Sequence, residues 1–491
     1  MLNQHESRKK YSFAIVFILI IAYFISGWYF AFIETKTFDE TYGFPVLNGG
    51  DSLQYALLAE HLIEFKAYTS SETSPYVPEI LRSPGYSFFL TPFKYIFDSF
   101  VPVIFAQALL VIISALIIYD IGRKLFSEKI GVGAALIFGL EPSTIFYTFT
   151  ILSDILFVFL FLTAIYILFF CIQPSLSRLY GYTFLGMLLL GYATLVRPSG
   201  LYSIGIILFF IMIHYIKSIG LKKTVILTLF SAVIYASVLT PWYIRNHKYS
   251  GAYTLSPIGP YTILFYNVAG FLGYKSGTNA DKVKEELRRE EFPNADIQTL
   301  QSGRYTKQIT NAAVKYVSAD PVGYFLYHGL GSINFFIASS LKDVSNESLV
   351  FRKFLFSTLL LNKNNVSIKE YLNEGGILKG AFTLFKTEPL FTFERLAWLF
   401  LSILALIAPI LFWKVPEKRV QILLFFFLTV YFALIFGPVS YPRYRIAAEP
   451  LLMLLAGGST WLLYPILQRG VSRLKLLIRS ATNFYLRHKQ M

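Results

Sequence analysis

Residues 11–33 read YSFAIVFILIIAYFISGWYFAFI and hold no charged side chain. About 20 apolar residues span a bilayer core, and lipid leaves the backbone only a helix or a closed barrel. The run is too long for a signal-peptide core and lacks a small-residue cleavage site, so it reads as a retained first helix. Similar runs recur near 99–121, 130–148, 153–172, 179–196, 200–216, 222–243, 396–413, 420–436 and 446–466. The fold class is therefore an all-α polytopic membrane protein with about ten spans. Composition agrees: 15% of residues are charged and 55% hydrophobic, whereas soluble domains carry about 25% charge.

The net charge of +15 does not imply nucleic-acid binding, because the positions of the charges explain it. The N-terminus, 122–129, 173–178, 217–223, 414–419 and the tail after 467 hold 19 Lys and Arg, and the short loops on the other side hold 3. By the positive-inside rule both termini are cytoplasmic, and the tail lies on the anionic inner leaflet. The chain then divides into a membrane catalytic module at 1–243 with a first outer loop at 34–98, an outer domain at 244–395, C-terminal membrane helices at 396–466 and a basic tail at 467–491. Within the outer domain, DKVKEELRREEF (281–292) reads as a charged helix and PVGYFLYHGLGSINFFIASS (321–340) as an interfacial segment.

Cys171 stands alone, so no internal disulfide or cysteine metal cluster is expected. His61 and His328 lack metal-ligand spacing, and the Asn-x-Ser matches at Asn346 and Asn365 are too common to use. No Walker or Rossmann glycine pattern follows a strand-like run.

The topology gathers charged residues at the outer ends of the helices: Asp51, Arg82, Glu141, Asp154, Arg197, Arg245, Arg443 and Arg445. Charge at membrane depth is costly and tends to face a partner, water or a site. Each residue also has a plain structural use. Asp51-Ser-Leu-Gln54 fits a helix-capping pattern. Asp154 fits the start of a helix, Glu141 can pair with an arginine, and arginines can snorkel to headgroups. Taken together, carboxylates among arginines suit chemistry on a lipid-linked phosphate. Arginine forks bind phosphate, and a carboxylate can take a proton from a hydroxyl. A sugar on a lipid phosphate already has its leaving group, so one base and cationic stabilisation suffice, unlike the paired carboxylates of glycoside hydrolysis.

GGDSLQYALLAEHL (49–62), RSPGYSFFLTPFKYIF (82–97), EPSTIFYTFTILSDILF (141–157), LVRPSG (195–200), TPWYIRN (240–246) and YPRYR (441–445) follow an apolar first helix in that order. In this layout the chain resembles the C-type glycosyltransferases of bacterial membranes, in the branch of protein O-mannosyltransferases and the lipid A aminoarabinose transferase. The resemblance covers residues 1–250 by motif and the rest by layout. It implies an inverting enzyme with a polyprenyl-phosphate sugar donor and a glycan, lipid or protein acceptor. It implies Asp51 as catalytic base and Asp154 as the second acidic residue; with the local capping pattern, Asp51 is expected to cap its helix as well as serve as base. Arg82 takes the phosphate position, with Arg197 and Arg245 serving the same group. Arg443, Arg445, Tyr55 and Glu141 are counted with the donor-binding side chains. Many relatives carry two adjacent acids where this chain has Asp51-Ser52, which leaves a divalent cation open rather than expected. The rival readings are an O-antigen ligase or polymerase and a polytopic lipid or sugar transporter. The transporter is disfavoured by the apolar interiors of the first, second and ninth spans.

Overall fold

The computed structural model describes residues 2–32, 49–171, 175–347 and 388–488. The start of the first outer loop, residues 348–387 of the outer domain and Asn365 lie outside the described residues. The described residues are helical, apart from connecting segments and one isolated bridge between Thr69 and Pro78. The all-α polytopic expectation holds.

In chain order the helices that build the site are α1 (Leu2–Phe32), α2 (Gly49–Glu64), α3 (Gly85–Phe97), α4 (Val101–Leu125), α5 (Glu128–Leu140), α6 (Pro142–Thr148), α7 (Asp154–Phe170), α8 (Leu176–Val196), α9 (Ser203–Ile219) and α10 (Leu221–Ser250). After the outer segment, which includes α11 (Ala280–Glu291), α12 (Pro321–Ile337) and α13 (Ser340–Glu347), come α14 (Pro389–Leu411), α15 (Pro416–Phe436) and α16 (Glu449–His488). Among the described residues seven stretches are long and apolar enough to cross a membrane, or eight if the bent pair α5–α6 is one span.

Three of the ten expected spans are not among those seven: 446–466, which is the first part of α16, and two that differ in form for clear reasons. The run at 130–148 is broken by 54° between α5 and α6. Pro142 cannot donate to the preceding turn and disfavours a helical conformation at Glu141, which is extended (φ −62°, ψ 131°). Glu141 then caps α6 by accepting from the Thr144 amide at 2.8 Å. The run at 153–172 becomes the 17-residue α7, about 26 Å long at 1.5 Å per residue. That is shorter than a bilayer core of about 30 Å. Its side chains are buried nearly all round, against α4, α8 and α9, so α7 is the central post of the bundle rather than a lipid-facing span. The stretch read as a separate basic tail continues α16 to His488.

Outside the bundle, 281–292 does form a capped helix, with Asn279 accepting from the Asp281 amide at 2.7 Å. Val283 and Leu287 of α11 join Leu264, Phe271, Ile309 and Tyr324 in a second, smaller core. α12 is capped by Asp320, and leaves Val322, Phe325, Leu326 and Leu330 exposed along one side. His61 and His328 serve structure: their ring nitrogens meet the carbonyls of Thr69 (2.8 Å) and Leu434 (2.7 Å).

Candidate active site

The site begins with a close approach of backbone. Gly85 opens α3 against the end of α8, where an added Cβ would lie 2.6 Å from the backbone of Leu195 and Val196. Only glycine permits this docking, and Tyr192 on α8 donates to the Gly85 carbonyl at 2.9 Å. The Arg82-Ser-Pro-Gly turn is thereby set beside Arg197, which ends α8. From below, Tyr86 reaches Gln107 on α4 (2.8 Å), and Gln107 donates to the carbonyls of Thr148 and Thr150. That buried amide ties α3 to the segment leading into α7, which Asp154 opens. α2 rests on α3 through Tyr55 and Tyr86, whose rings meet edge to face at 5.0 Å.

These contacts bring five charged side chains into a line. Arg82 donates to Asp51 Oδ1 at 2.5 Å, and Arg443 donates to Asp51 Oδ2 at 3.2 Å. Arg443 also donates to Asp154 Oδ2 at 3.1 Å, and Arg197 closes the line on Asp154 Oδ1. Three guanidiniums alternate with two carboxylates, so the ionised group carries one excess positive charge. Gln54 accepts from Arg82 Nε at 2.7 Å. Tyr55 lies under the Arg82 guanidinium, Tyr147 under Arg443 and Tyr444 under Arg197, each 5.6–5.8 Å from ring centre to guanidinium carbon. Asp154 is buried, whereas Asp51 is the most open member of the group.

Asp51 is the third residue of α2, and both its oxygens are engaged by arginines. Burial pushes its carboxyl up, but Arg82 and Arg443 outweigh burial and hold it below the ordinary carboxylate value. Arg82 and Arg443 are both raised despite burial, because Asp51 and nearby tyrosines favour their charged forms. The positive end of α2 also favours an anion in its first turn.

Three residues expected at the site sit elsewhere. Arg245 donates to the carbonyls of Glu79 (2.8 Å) and Tyr68 (3.1 Å) and lies 4.3 Å over Trp242. It braces the loop that carries Arg82. Arg445 and Glu141 belong to a separate buried cluster: Arg445 donates to Glu449 at 3.1 Å and lies 3.9 Å from Glu141. One neighbour absent from the sequence reading is Asp343 on α13, which accepts from the Tyr147 hydroxyl at 3.0 Å. Nothing local marks Asp343 out, because it comes from a segment about 200 residues away in sequence.

A divalent cation does not fit this arrangement. Among the described residues no group of three or more His, Cys, Asp or Glu stands together. Asp51 and Asp154 each answer two arginines, and Ser52, at the position of the second acid in many relatives, is fully buried. The side chains present suit an anion.

The all-helical bundle and its arginine–carboxylate line agree with the resemblance drawn from the sequence motifs. Residues 81–244, about a third of the chain, match the family model described as dolichyl-phosphate-mannose-protein mannosyltransferase. The matched segment includes Arg82, Glu141, Asp154 and Arg197, and leaves Asp51 and Arg443 outside it. No curated protein matches the sequence. Among solved structures, the chain is similar to the Archaeoglobus fulgidus oligosaccharyltransferase in its apo form, at 14% identity and a TM-score of 0.49. That alignment covers 94% of this chain and 52% of the archaeal one, so this chain spans about half of that protein's length. It is also similar to ArnT from Cupriavidus metallidurans in the apo state, at 12% identity and a TM-score of 0.36, covering 93% of this chain and 77% of that one.

Proposed function

We propose that this protein is an inverting glycosyltransferase that moves a sugar from a polyprenyl-phosphate donor to an acceptor hydroxyl at the outer face of the cytoplasmic membrane. The observation that carries this reading is the line Arg82–Asp51–Arg443–Asp154–Arg197 with its excess positive charge. Arg82, Arg443 and Arg197 receive the donor phosphate. An arriving phosphate competes with Asp51 for Arg82 and Arg443 and so returns basicity to the carboxylate. Asp51 then takes the acceptor hydroxyl proton. The acceptor oxygen bonds to the anomeric carbon from the side opposite the phosphate, and the bond from that carbon to the phosphate oxygen breaks. The electron pair leaves on the lipid phosphate, where the guanidiniums neutralise it. Asp154, buried between Arg197 and Arg443, keeps both aimed at that oxygen.

The test is lipid mass spectrometry on a deletion strain complemented with wild type or Asp51→Asn. Polyprenyl-phosphate sugar should accumulate in the deletion and with Asp51→Asn, and fall with wild type. Its mass would identify the sugar. An unchanged donor pool in all three strains would remove the transferase reading in favour of a ligase or transporter.

A further inference from the structure

Arg445 is two residues from Arg443 but touches none of the line described above. Its guanidinium is fully buried. Nε donates to Glu449 at 3.1 Å, Nη1 to the carbonyls of Ala338 (2.8 Å) and Phe335 (3.4 Å), and Nη2 to Ser340 Oγ at 2.8 Å. The same group lies 3.5 Å from the centre of the Trp398 ring. One side chain therefore pins the Pro442–Arg445 turn to the first turn of α16, to the end of α12, to the start of α13 and to the middle of α14.

Arg443 sits on that pinned turn, and its guanidinium must reach two carboxylates that come from different helices, Asp51 on α2 and Asp154 on α7. A long flexible side chain makes both bonds only if its backbone is held. Two other contacts fix the same turn: Asn334 on α12 donates to the Ser440 carbonyl at 2.7 Å, and Phe436, the last residue of α15, stacks on Tyr444 at 4.4 Å.

We infer that Arg445 is a positioning residue: its fork, clamped by Glu449, Ser340 and the α12 carbonyls, holds the turn so that Arg443 bridges Asp51 and Asp154 and faces the donor phosphate. The effect on phosphate rests on the donor reading above, whereas the geometric effect on the turn does not. Lysine cannot replace Arg445, because one ammonium cannot reproduce a planar fork bonded on four sides and stacked on an indole.

Two measurements on the purified full chain test this. The first is the affinity for undecaprenyl phosphate of wild type, Arg443→Gln, Arg445→Lys and the double variant. Arg445→Lys should weaken binding roughly tenfold in the parent and scarcely at all in the Arg443→Gln background, as expected when one residue acts through another. Equal losses in both backgrounds would overturn the inference. The second is the distance distribution between spin labels at Glu64 and Tyr441, both exposed, in a Cys171→Ser chain. It should broaden in Arg445→Lys and in Glu449→Gln. An unchanged distribution in folded variants would overturn the inference. If wild type does not bind undecaprenyl phosphate but the distribution broadens, the donor reading fails and the positioning role stands. Should Arg445→Lys not fold, Glu449→Gln, which replaces the charged acceptor of the Nε bond with a neutral amide oxygen, and Ser340→Ala, which removes the Nη2 bond, carry both measurements.

Discussion

Two arginine–carboxylate clusters lie two residues apart along one turn, and they differ in access and in charge. The line around Arg443 has three cations for two carboxylates and one partly open member, Asp51, whose side chain is 34% exposed. The cluster around Arg445 has one cation for two carboxylates, Glu141 and Glu449, and no side chain more than 3% exposed. Excess positive charge with an opening suits an incoming anion. A sealed pair with every donor of the arginine facing protein suits anchorage. Identical residue types thus take different work according to where packing puts them.

The comparison breaks most visibly at Asp51. Asp51→Asn should cut transfer by about 10²–10⁴-fold, the usual contribution of a general base, with the protein still folded and inserted. Turnover measured against the thermal midpoint checks this, and full activity would remove Asp51 from the chemistry. Arg445→Met should strike stability first and donor binding through Arg443 second. It leaves Glu449 buried without its cation, at a cost of about 3–5 kcal/mol, read as a lower thermal midpoint and reduced yield. Arg82→Gln should lower the thermal midpoint modestly through the lost Asp51 bridge and weaken undecaprenyl phosphate binding by about 1.5–3 kcal/mol, the range for hydrogen bonds to charged groups. Gly85→Ala should cost about 1–3 kcal/mol through backbone crowding against α8 and lower donor affinity as Arg82 shifts.

The smallest expected effect is on pH dependence. The carboxyl of Asp51 sits below the ordinary value of about 4, so the bridge it forms contributes fully above that value and is lost as pH falls through the lower folded value. On acidification, wild type should therefore lose more thermal stability than Asp51→Asn. Parallel melting profiles would remove the bridge from the stability of the folded chain.

Helix positions were readable from the sequence because uncharged runs of this length have few other outcomes in lipid. The break at Glu141-Pro142 was not read, although proline announces it, because both sides of the break are apolar. The central burial of α7 was invisible for a related reason. A helix apolar all round reads the same whether lipid or protein surrounds it. Asp51, Arg82, Asp154 and Arg197 were each legible as charges near helix ends, and the structure gathers them with Arg443. Arg245 and Arg445 looked equivalent to them, since sequence reports a charge and not the direction of its side chain. Arg245 meets carbonyls of the 68–79 loop and Arg445 meets α12, α13 and α16, contacts made by segments distant in sequence.

The sequence by itself determined that this chain is a helical membrane protein with its acidic and basic residues concentrated at the helix ends. The reason is local: burial of apolar length and the cost of charge in lipid act on each segment separately. Only the tertiary structure decided which of those charges share one opening and which seal a joint. That sorting depends on the Gly85 contact with α8, on Gln107 linking α4 to the approach of α7, and on the turn held by Arg445.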